Sequence, residues 1–139
     1  MLIMSEQGNL KKISEFEDKS LLIVDDDSPF RERLARAMEK KGFLVSQADG
    51  VKEGISSVMI KKPAFAVVDL RLGDGNGLEV VKQIQSQNSK SRIVMLTGYG
   101  NIPTAVAAIK QGAIDYLANP ADADDVEKAL LADPNKKAE

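Results

Sequence analysis

The chain has 139 residues, 43% of them hydrophobic and 29% charged, which is a globular composition and excludes disordered and fibrous proteins. Its net charge of −2 gives no general attraction to nucleic acid or to an anionic membrane. It contains neither cysteine nor histidine, which excludes disulfides, thiolate zinc sites, histidine bases and a phosphohistidine in this chain. The chemistry must therefore rely on carboxylates, hydroxyls or lysines, and the lack of cysteine favours the cytoplasm.

The length predicts one domain with an arm before it and a tail behind it. Residues 1–19 end in the mixed-charge stretch KKISEFEDK, whose possible apolar anchors are Ile13 and Phe16, so we expect a flexible N-terminal arm. Residues 20–132 carry the regular pattern of a folded domain, and residues 133–139 read as the start of a linker or a C-terminal tail. Apolar runs do not exceed five residues, so we expect neither a membrane-spanning segment nor a signal peptide.

Short apolar runs alternate along the domain with longer segments of helical periodicity. Ser28 and Pro29 suit the cap and the first position of a helix, whereas the turn LGDGNG at 72–77 is too rich in glycine for regular structure. The strand-like runs are 21–24, 43–48, 65–70, 92–97 and 114–117. The helical patterns are 28–41, the stripe Val51, Ile55, Val58 and Met59, the stripe Val80, Val81 and Ile84, 103–111, and a last segment capped by Asp122 with Val126, Ala129 and Leu130 facing inward.

Five strands alternating with five helices predict an α/β fold. Continuous apolar strands such as FAVV and IVML indicate burial on both faces, which a parallel sheet covered by helices provides. Right-handed crossovers then favour a flavodoxin-like, doubly wound five-stranded parallel sheet with strand order 2-1-3-4-5. In such a sheet ligands bind beyond the carboxyl ends of the strands.

Carboxylates end two strands that this order makes neighbours. Asp25, Asp26 and Asp27 follow the first strand, and Asp69 ends the third. Two carboxylates about 4 Å apart repel by roughly 4 kcal/mol at an effective dielectric of 20, so a shared pocket requires protonation or a bound cation. Oxygen ligands without histidine or cysteine select Mg²⁺ or Mn²⁺. We therefore predict a divalent cation at Asp25, Asp26 and Asp69, with Asp27 as a capping or surface acid; the competing interpretation makes DDDSP only a helix-capping turn.

Two residues at strand ends are candidates for phosphoryl chemistry. A carboxylate beside Mg²⁺ can act as a nucleophile on phosphorus, and Asp69 has no basic partner in its strand. Thr97 ends the fourth strand, where its hydroxyl can hydrogen-bond a phosphoryl oxygen. A β-branched residue also suits a strand end for structural reasons alone, so this second assignment stays open.

The order of these residues resembles the receiver domain of two-component response regulators over about residues 20–132. The stretches VVDLRLGDGNGLEVV, LTGYGNI and DYLANPADADD are similar to redox-responsive global regulators of the RegA, PrrA and ActR type. The resemblance implies that Asp69 accepts a phosphoryl group from the phosphohistidine of a sensor histidine kinase. It also implies that the backbone carbonyl of Arg71 joins the three carboxylates around Mg²⁺, and that Thr97 and Tyr116 rearrange on phosphorylation.

The resemblance further implies a phosphorylation-dependent switch, a homodimer in the phosphorylated state, and transcription regulation through a helix-turn-helix output domain after a proline-rich linker. Such a domain is not visible in this sequence, which stops near the point where the linker would begin. We therefore expect an isolated receiver fragment, which would reach DNA only through an output domain not present here.

One residue departs from the family pattern. Asn119 stands where the family has a lysine before a proline, so a neutral amide replaces a full positive charge at the phosphoryl group. Phosphorylation is then expected to be slower or more weakly coupled to the switch, and the Asn119-Pro120 bond is expected to be cis. The alternative is a pseudo-receiver, which keeps the fold and signals by protein contact without phosphorylation.

Two other classes fit the sequence less well. A Mg²⁺-dependent phosphatase similar to haloacid dehalogenases would carry a DxD pattern at the nucleophile strand, whereas Asp69 is followed by Leu70 and Arg71. A flavodoxin would present hydroxyls and glycine at the first strand-to-helix turn, whereas DDDSP presents carboxylates. We therefore expect a signalling domain and not an enzyme.

Overall fold

The structure, a computed structural model, describes residues 12–98 and 102–132. The predicted tail at 133–139 and the first part of the predicted arm, 1–11, lie outside the described residues. The strands are β1 (Ser20–Val24), β2 (Leu44–Ala48), β3 (Phe65–Asp69), β4 (Arg92–Thr97) and β5 (Asp115–Ala118). The helices are α1 (Ser28–Lys40), α2 (Val51–Ile60), α3 (Gly77–Gln87), α4 (Ile102–Lys110) and α5 (Ala123–Leu131), with a 3₁₀ turn at Ile13–Glu15 and a short hairpin of Arg71–Leu72 with Gly75–Asn76.

The five strands form one parallel sheet in the order β2-β1-β3-β4-β5. This confirms the predicted flavodoxin-like order 2-1-3-4-5. In the register of the sheet, Val24 lies opposite both Ala48 and Val68, and Asp69 lies opposite Leu96. Asp25 directly follows Val24, so the carboxyl ends of β1 and β3 bring the first acid next to Asp69.

Helices cover both faces of the sheet, as the continuous apolar strands predict. Leu21 and Ile23 point into a core with α1 and α5, whereas Leu22 and Val24 point into a second core with α2 and α3. All five residues of β1 and of β3 are buried. Among the described residues, the helices are too short or too polar to cross a bilayer.

The start of α1 differs by one residue from the prediction. Asp27 is the N-cap, and its side chain accepts from the Phe30 amide at 3.1 Å. Ser28 is therefore the first helical residue and Pro29 the second, because an acid caps the helix as well as serine does. The predicted cap at Asp122 is confirmed: its side chain accepts from the Asp124 amide at 3.0 Å.

Two other predictions are wrong. Met59 is 59% exposed, because the buried stripe of α2 runs through Val51, Gly54 and Val58 and turns Met59 toward solvent. The small Gly54 lets α2 approach β1 closely, where a Cβ would lie 3.4 Å from Val24. The turn at 72–77 is not wholly irregular, since its ends belong to the short hairpin and to α3.

The described part of the predicted arm lies against the domain. Ile13 is buried, and the Phe16 ring meets the buried Phe65 ring edge to face with centroids 5.1 Å apart. The Arg92 guanidinium carbon stands 5.2 Å from the centroid of the Phe16 ring, within the range of a cation–π contact. The two apolar residues noted in the sequence thus attach residues 12–19 to the core.

This contact predicts that residues before β1 contribute to stability. Phe16→Ala should lower the free energy of unfolding by about 2 kcal/mol, because it removes an aromatic pair and partly buried apolar area. Urea unfolding followed by circular dichroism measures the change. Glu17→Ala is the matched control, since Glu17 is exposed, and equal midpoints for both variants would contradict the contact.

Candidate metal centre

Three carboxylates meet at the carboxyl ends of β1 and β3. Asp25, Asp26 and Asp69 each offer an oxygen, and these oxygens all lie within 4.8 Å of one another. The side chains of Asp25 and Asp69 are buried, at 0% and 8% exposure, whereas Asp26 is exposed. The structure therefore brings the three predicted acids together in a site with one open side.

The loop after β1 fixes the orientation of Asp25. Its amide donates to the Ala48 carbonyl at 3.1 Å, and its Oδ1 accepts from the Asp27 amide at 2.9 Å. Its Oδ2 is buried and has no hydrogen-bond donor within the described ranges 12–98 and 102–132. A buried carboxylate oxygen without a donor is costly, and coordination of a cation would satisfy it.

The acids perturb one another electrostatically. Burial raises the pKa of Asp25 above its ordinary value. Burial, followed by the charges of Asp25 and Asp26, raises the pKa of Asp69 to about 7, although the Arg71 amide, 3.4 Å from Asp69 Oδ1, opposes the shift. Clustered carboxylates that resist ionisation, one with an orphaned oxygen, fit a hard divalent cation such as Mg²⁺. The donor set is all oxygen, as Mg²⁺ requires.

Two residues of the turn after β3 shape the backbone near the site without joining the acid cluster, and the sequence analysis did not single them out. The Gly77 amide donates to the Leu70 carbonyl at 2.7 Å, and a Cβ on Gly77 would overlap the Asp69 carbonyl oxygen. Only glycine therefore lets α3 start this close to the end of β3. Asp74 accepts from the amides of Val51 and Lys52 at 2.7 and 3.1 Å and so caps α2. The glycine-rich composition of the turn points to Gly77. The role of Asp74 could not be predicted from local sequence, because it contacts a helix more than 20 residues away.

The remaining candidates lie on β4 and β5. Thr97 is buried at the end of β4, and its hydroxyl donates to the Gly98 carbonyl at 3.2 Å. The backbone amide of Asn119 donates to the backbone carbonyl of Thr97 at 2.9 Å. The expected cis peptide bond between Asn119 and Pro120 is confirmed. Tyr116 is half-buried against the core of α2 and α3 and pairs in register with Met95.

A doubly wound parallel sheet with an oxygen-only acidic site where its first and third strands end defines a receiver-type signalling domain. A comparison with known protein families agrees with this class: the family model described as "Response regulator receiver domain" matches residues 21–131. The chain belongs to the response regulator receiver domain family of two-component systems. The predicted family is confirmed.

Curated relatives support the finer resemblance. The chain is 57% identical over 122 residues to the acid tolerance regulatory protein ActR of Sinorhizobium medicae, covering 88% of this chain and 63% of ActR. It is 59% identical over 115 residues to the photosynthetic apparatus regulatory protein RegA of Cereibacter sphaeroides, covering 83% of this chain and 62% of RegA. The predicted likeness to regulators of this type is confirmed, and the chain spans less than two thirds of their length.

Solved structures show the same fold. A response regulator from Burkholderia pseudomallei, crystallised with a phosphorylated aspartic acid, a calcium ion and citrate, aligns with a TM-score of 0.80 and 37% identity over 87% of this chain and 71% of that one. The receiver domain of NtrX from Brucella abortus aligns with a TM-score of 0.71 and 30% identity over 79% of this chain and 97% of that domain. The likeness thus covers 87% of this chain in the first comparison and 79% in the second.

The raised pKa of Asp69 predicts that stability without metal falls as pH rises. The folded protein keeps a proton on Asp69 up to about pH 7, whereas the unfolded chain loses it above its ordinary pKa of 3.8. The contribution of Asp69 to the free energy of unfolding is therefore fully present below pH 3.8 and is lost as the pH rises to about 7. In chelator, the free energy of unfolding should fall by about 2 to 4 kcal/mol relative to Asp69→Asn between about pH 4 and about pH 8.

Urea unfolding of both proteins across this pH range measures the difference, so that titrating groups not coupled to Asp69 cancel. Adding Mg²⁺ at about pH 8 should raise the stability of the wild type more than that of Asp69→Asn, because ligand binding stabilises the folded state. Parallel stability curves for the two proteins in chelator would show that Asp69 ionises normally.

Proposed function

We propose that this chain is a phosphorylation-dependent switch in which Asp69 accepts a phosphoryl group from a sensor histidine kinase. The observation that carries the proposal is the buried Asp69 carboxylate within 4.8 Å of two further acids at the open edge of the sheet. Burying a carboxylate beside two further acids costs stability, whereas a Mg²⁺-dependent acceptor requires this arrangement. Asp25, Asp26, Asp69 and the Arg71 carbonyl would hold Mg²⁺ (or Mn²⁺).

The transfer is a simple displacement at phosphorus. An ionised oxygen of Asp69 attacks the phosphorus of the kinase phosphohistidine, the new O–P bond forms as the N–P bond breaks, and the imidazole keeps the electron pair. Asp25 and Asp26 would hold the cation beside the acceptor, where its charge would offset that of the transferred phosphoryl oxygens. These 139 residues contain no histidine, so the phosphohistidine donor lies outside them.

The readout uses the neighbouring strand ends. Thr97 lies one strand away from Asp69, and its hydroxyl would turn from the Gly98 carbonyl to the phosphoryl group. Tyr116, on the next strand, would follow that movement. The phosphorylated form would associate as a homodimer and act in the cytoplasm on transcription, with DNA contacted by an output domain. A regulatory role is supported by the names of the relatives ActR and RegA, both called regulatory proteins. In this role the chain is a signalling domain and not an enzyme.

A small-molecule phosphodonor tests the acceptor directly. With acetyl phosphate and Mg²⁺, the intact protein should gain the mass of one phosphoryl group, and chelator should abolish the gain because the cation neutralises the transition state. Intact-mass spectrometry measures it. Asp69→Asn should gain nothing, whereas Asp74→Asn, a carboxylate of the same hairpin region that caps α2, should be phosphorylated like the wild type.

The same experiment separates the proposal from the pseudo-receiver alternative, which Asn119 favours because it removes a positive charge from the phosphoryl site. If the wild type gains no phosphoryl group while a family member with the lysine does under the same conditions, the chain signals by protein contact alone. A gain that survives Asp69→Asn would assign the phosphoryl group to another residue.

Asn119 itself is expected to limit the response. Asn119→Lys should accelerate phosphorylation by acetyl phosphate about tenfold, since a charge-assisted hydrogen bond to the phosphoryl group is roughly twice as strong as a neutral one. Time courses by mass spectrometry measure the rate, and size-exclusion chromatography measures phosphorylation-dependent dimerisation. Asn119→Gln is the control for side-chain length without charge. Equal rates and equal dimerisation in all three proteins would show that the site does not use a cation at this position.

A further inference from the structure

Arg31 contacts the acidic loop from the second turn of α1, and no role in the site has been assigned to it so far. Its Nη1 donates to the backbone carbonyl of Asp25 at 2.8 Å. Its Nε donates to the side-chain oxygen of Gln47, near the end of β2, at 2.9 Å. Arg31 is partly buried, and one planar guanidinium thus connects α1, the loop after β1 and the second strand.

The hydrogen bonds of Asp25 show what this contact controls. The amide of Asp25 donates to Ala48, its carbonyl accepts from Arg31, and its Oδ1 accepts from the Asp27 amide. Its Oδ2 is the polar atom left over, and it is buried beside Asp26 and Asp69. The carbonyl held by Arg31 belongs to the peptide that joins Asp25 to Asp26. Its orientation therefore sets the relative directions of two predicted cation ligands.

We propose that Arg31, braced by Gln47, is a positioning residue that fixes the Asp25-Asp26 peptide and thereby sets the affinity of the site for Mg²⁺. The inference rests on the proposed function, because it concerns the same cation site. A guanidinium suits this task because its rigid fork can donate to two acceptors in fixed directions. Lysine carries the same charge on a flexible stem and cannot reproduce both bonds.

Geometry and charge make opposite predictions for this residue. If Arg31 acted only through its positive charge, it would repel the cation, and its neutral replacement would bind Mg²⁺ more tightly. If it acts by holding the peptide, any replacement that loses the fork weakens binding, whatever its charge. Partners that orient metal ligands typically change affinity by about 10- to 100-fold when they are removed.

The experiment measures Mg²⁺ binding by isothermal titration calorimetry at about pH 8, where most of Asp69 is ionised. The proteins are the wild type, Arg31→Lys, Arg31→Gln and Gln47→Ala. Both Arg31 variants should bind Mg²⁺ about tenfold more weakly, and Gln47→Ala about threefold more weakly because it removes only the brace. Arg36→Gln, an exposed arginine on the same helix, is the matched control and should bind like the wild type.

Thermal unfolding in chelator separates a role in the site from a role in stability. Weaker binding by Arg31→Lys and Arg31→Gln with unchanged melting temperatures supports positioning, and Gln47→Ala provides a milder variant if an Arg31 variant does not fold. Tighter binding by Arg31→Gln together with unchanged binding by Arg31→Lys would overturn the inference in favour of a charge effect. Wild-type affinity in every variant would overturn it as well, while leaving the proposed function intact.

Failure of the proposed function gives a different result. If the wild type shows neither heat of Mg²⁺ binding nor phosphorylation by acetyl phosphate, the proposed cation site is ruled out. The inference about Arg31 is then ruled out as well. Binding by the wild type with loss in the Arg31 variants supports both.

Discussion

Repulsion among three carboxylates is the constraint on which the arrangement of this domain depends. Two unit charges about 4 Å apart cost roughly 4 kcal/mol at an effective dielectric of 20, and a whole domain is stable by only about 5 to 15 kcal/mol. Asp25 and Asp69 are nevertheless buried side by side. The fold must therefore hold the acids in place through backbone contacts. The repulsion among them is then left for a bound cation to relieve.

The hydrogen bonds around the site meet this requirement. The amide of Asp25 donates to β2, its Oδ1 accepts from the following turn, and its carbonyl accepts from α1. Among the described residues these bonds hold Asp25 in place and leave its Oδ2 without a donor. At β3, the close approach of Gly77 to the Asp69 carbonyl oxygen allows the next helix to begin within the site.

The sequence predicts most of the fold because its strands are continuous apolar runs, and the strand order then follows from handedness and length. The three acids are predictable because parallel neighbours end at the same edge. Met59 was misplaced because a glycine at position 54 turns the buried stripe of α2, and periodicity gives little weight to glycine. The contacts of Asp74 with α2 and of Arg31 with Gln47 join residues that local patterns cannot pair.

The strand order also places the three acids apart from the residues proposed for readout. Asp25 and Asp26 follow β1 and Asp69 ends β3, whereas Thr97 ends β4 and Asn119 follows β5, and the backbone amide of Asn119 donates to the Thr97 carbonyl. That bond uses only backbone atoms, so it tolerates asparagine in place of lysine without disturbing the sheet. Under the proposed function, a change of side chain at position 119 would therefore alter how the phosphoryl group is sensed while the carboxylates keep their geometry. The fold permits this variation because the three acids and Asn119 are carried by different strands of one sheet.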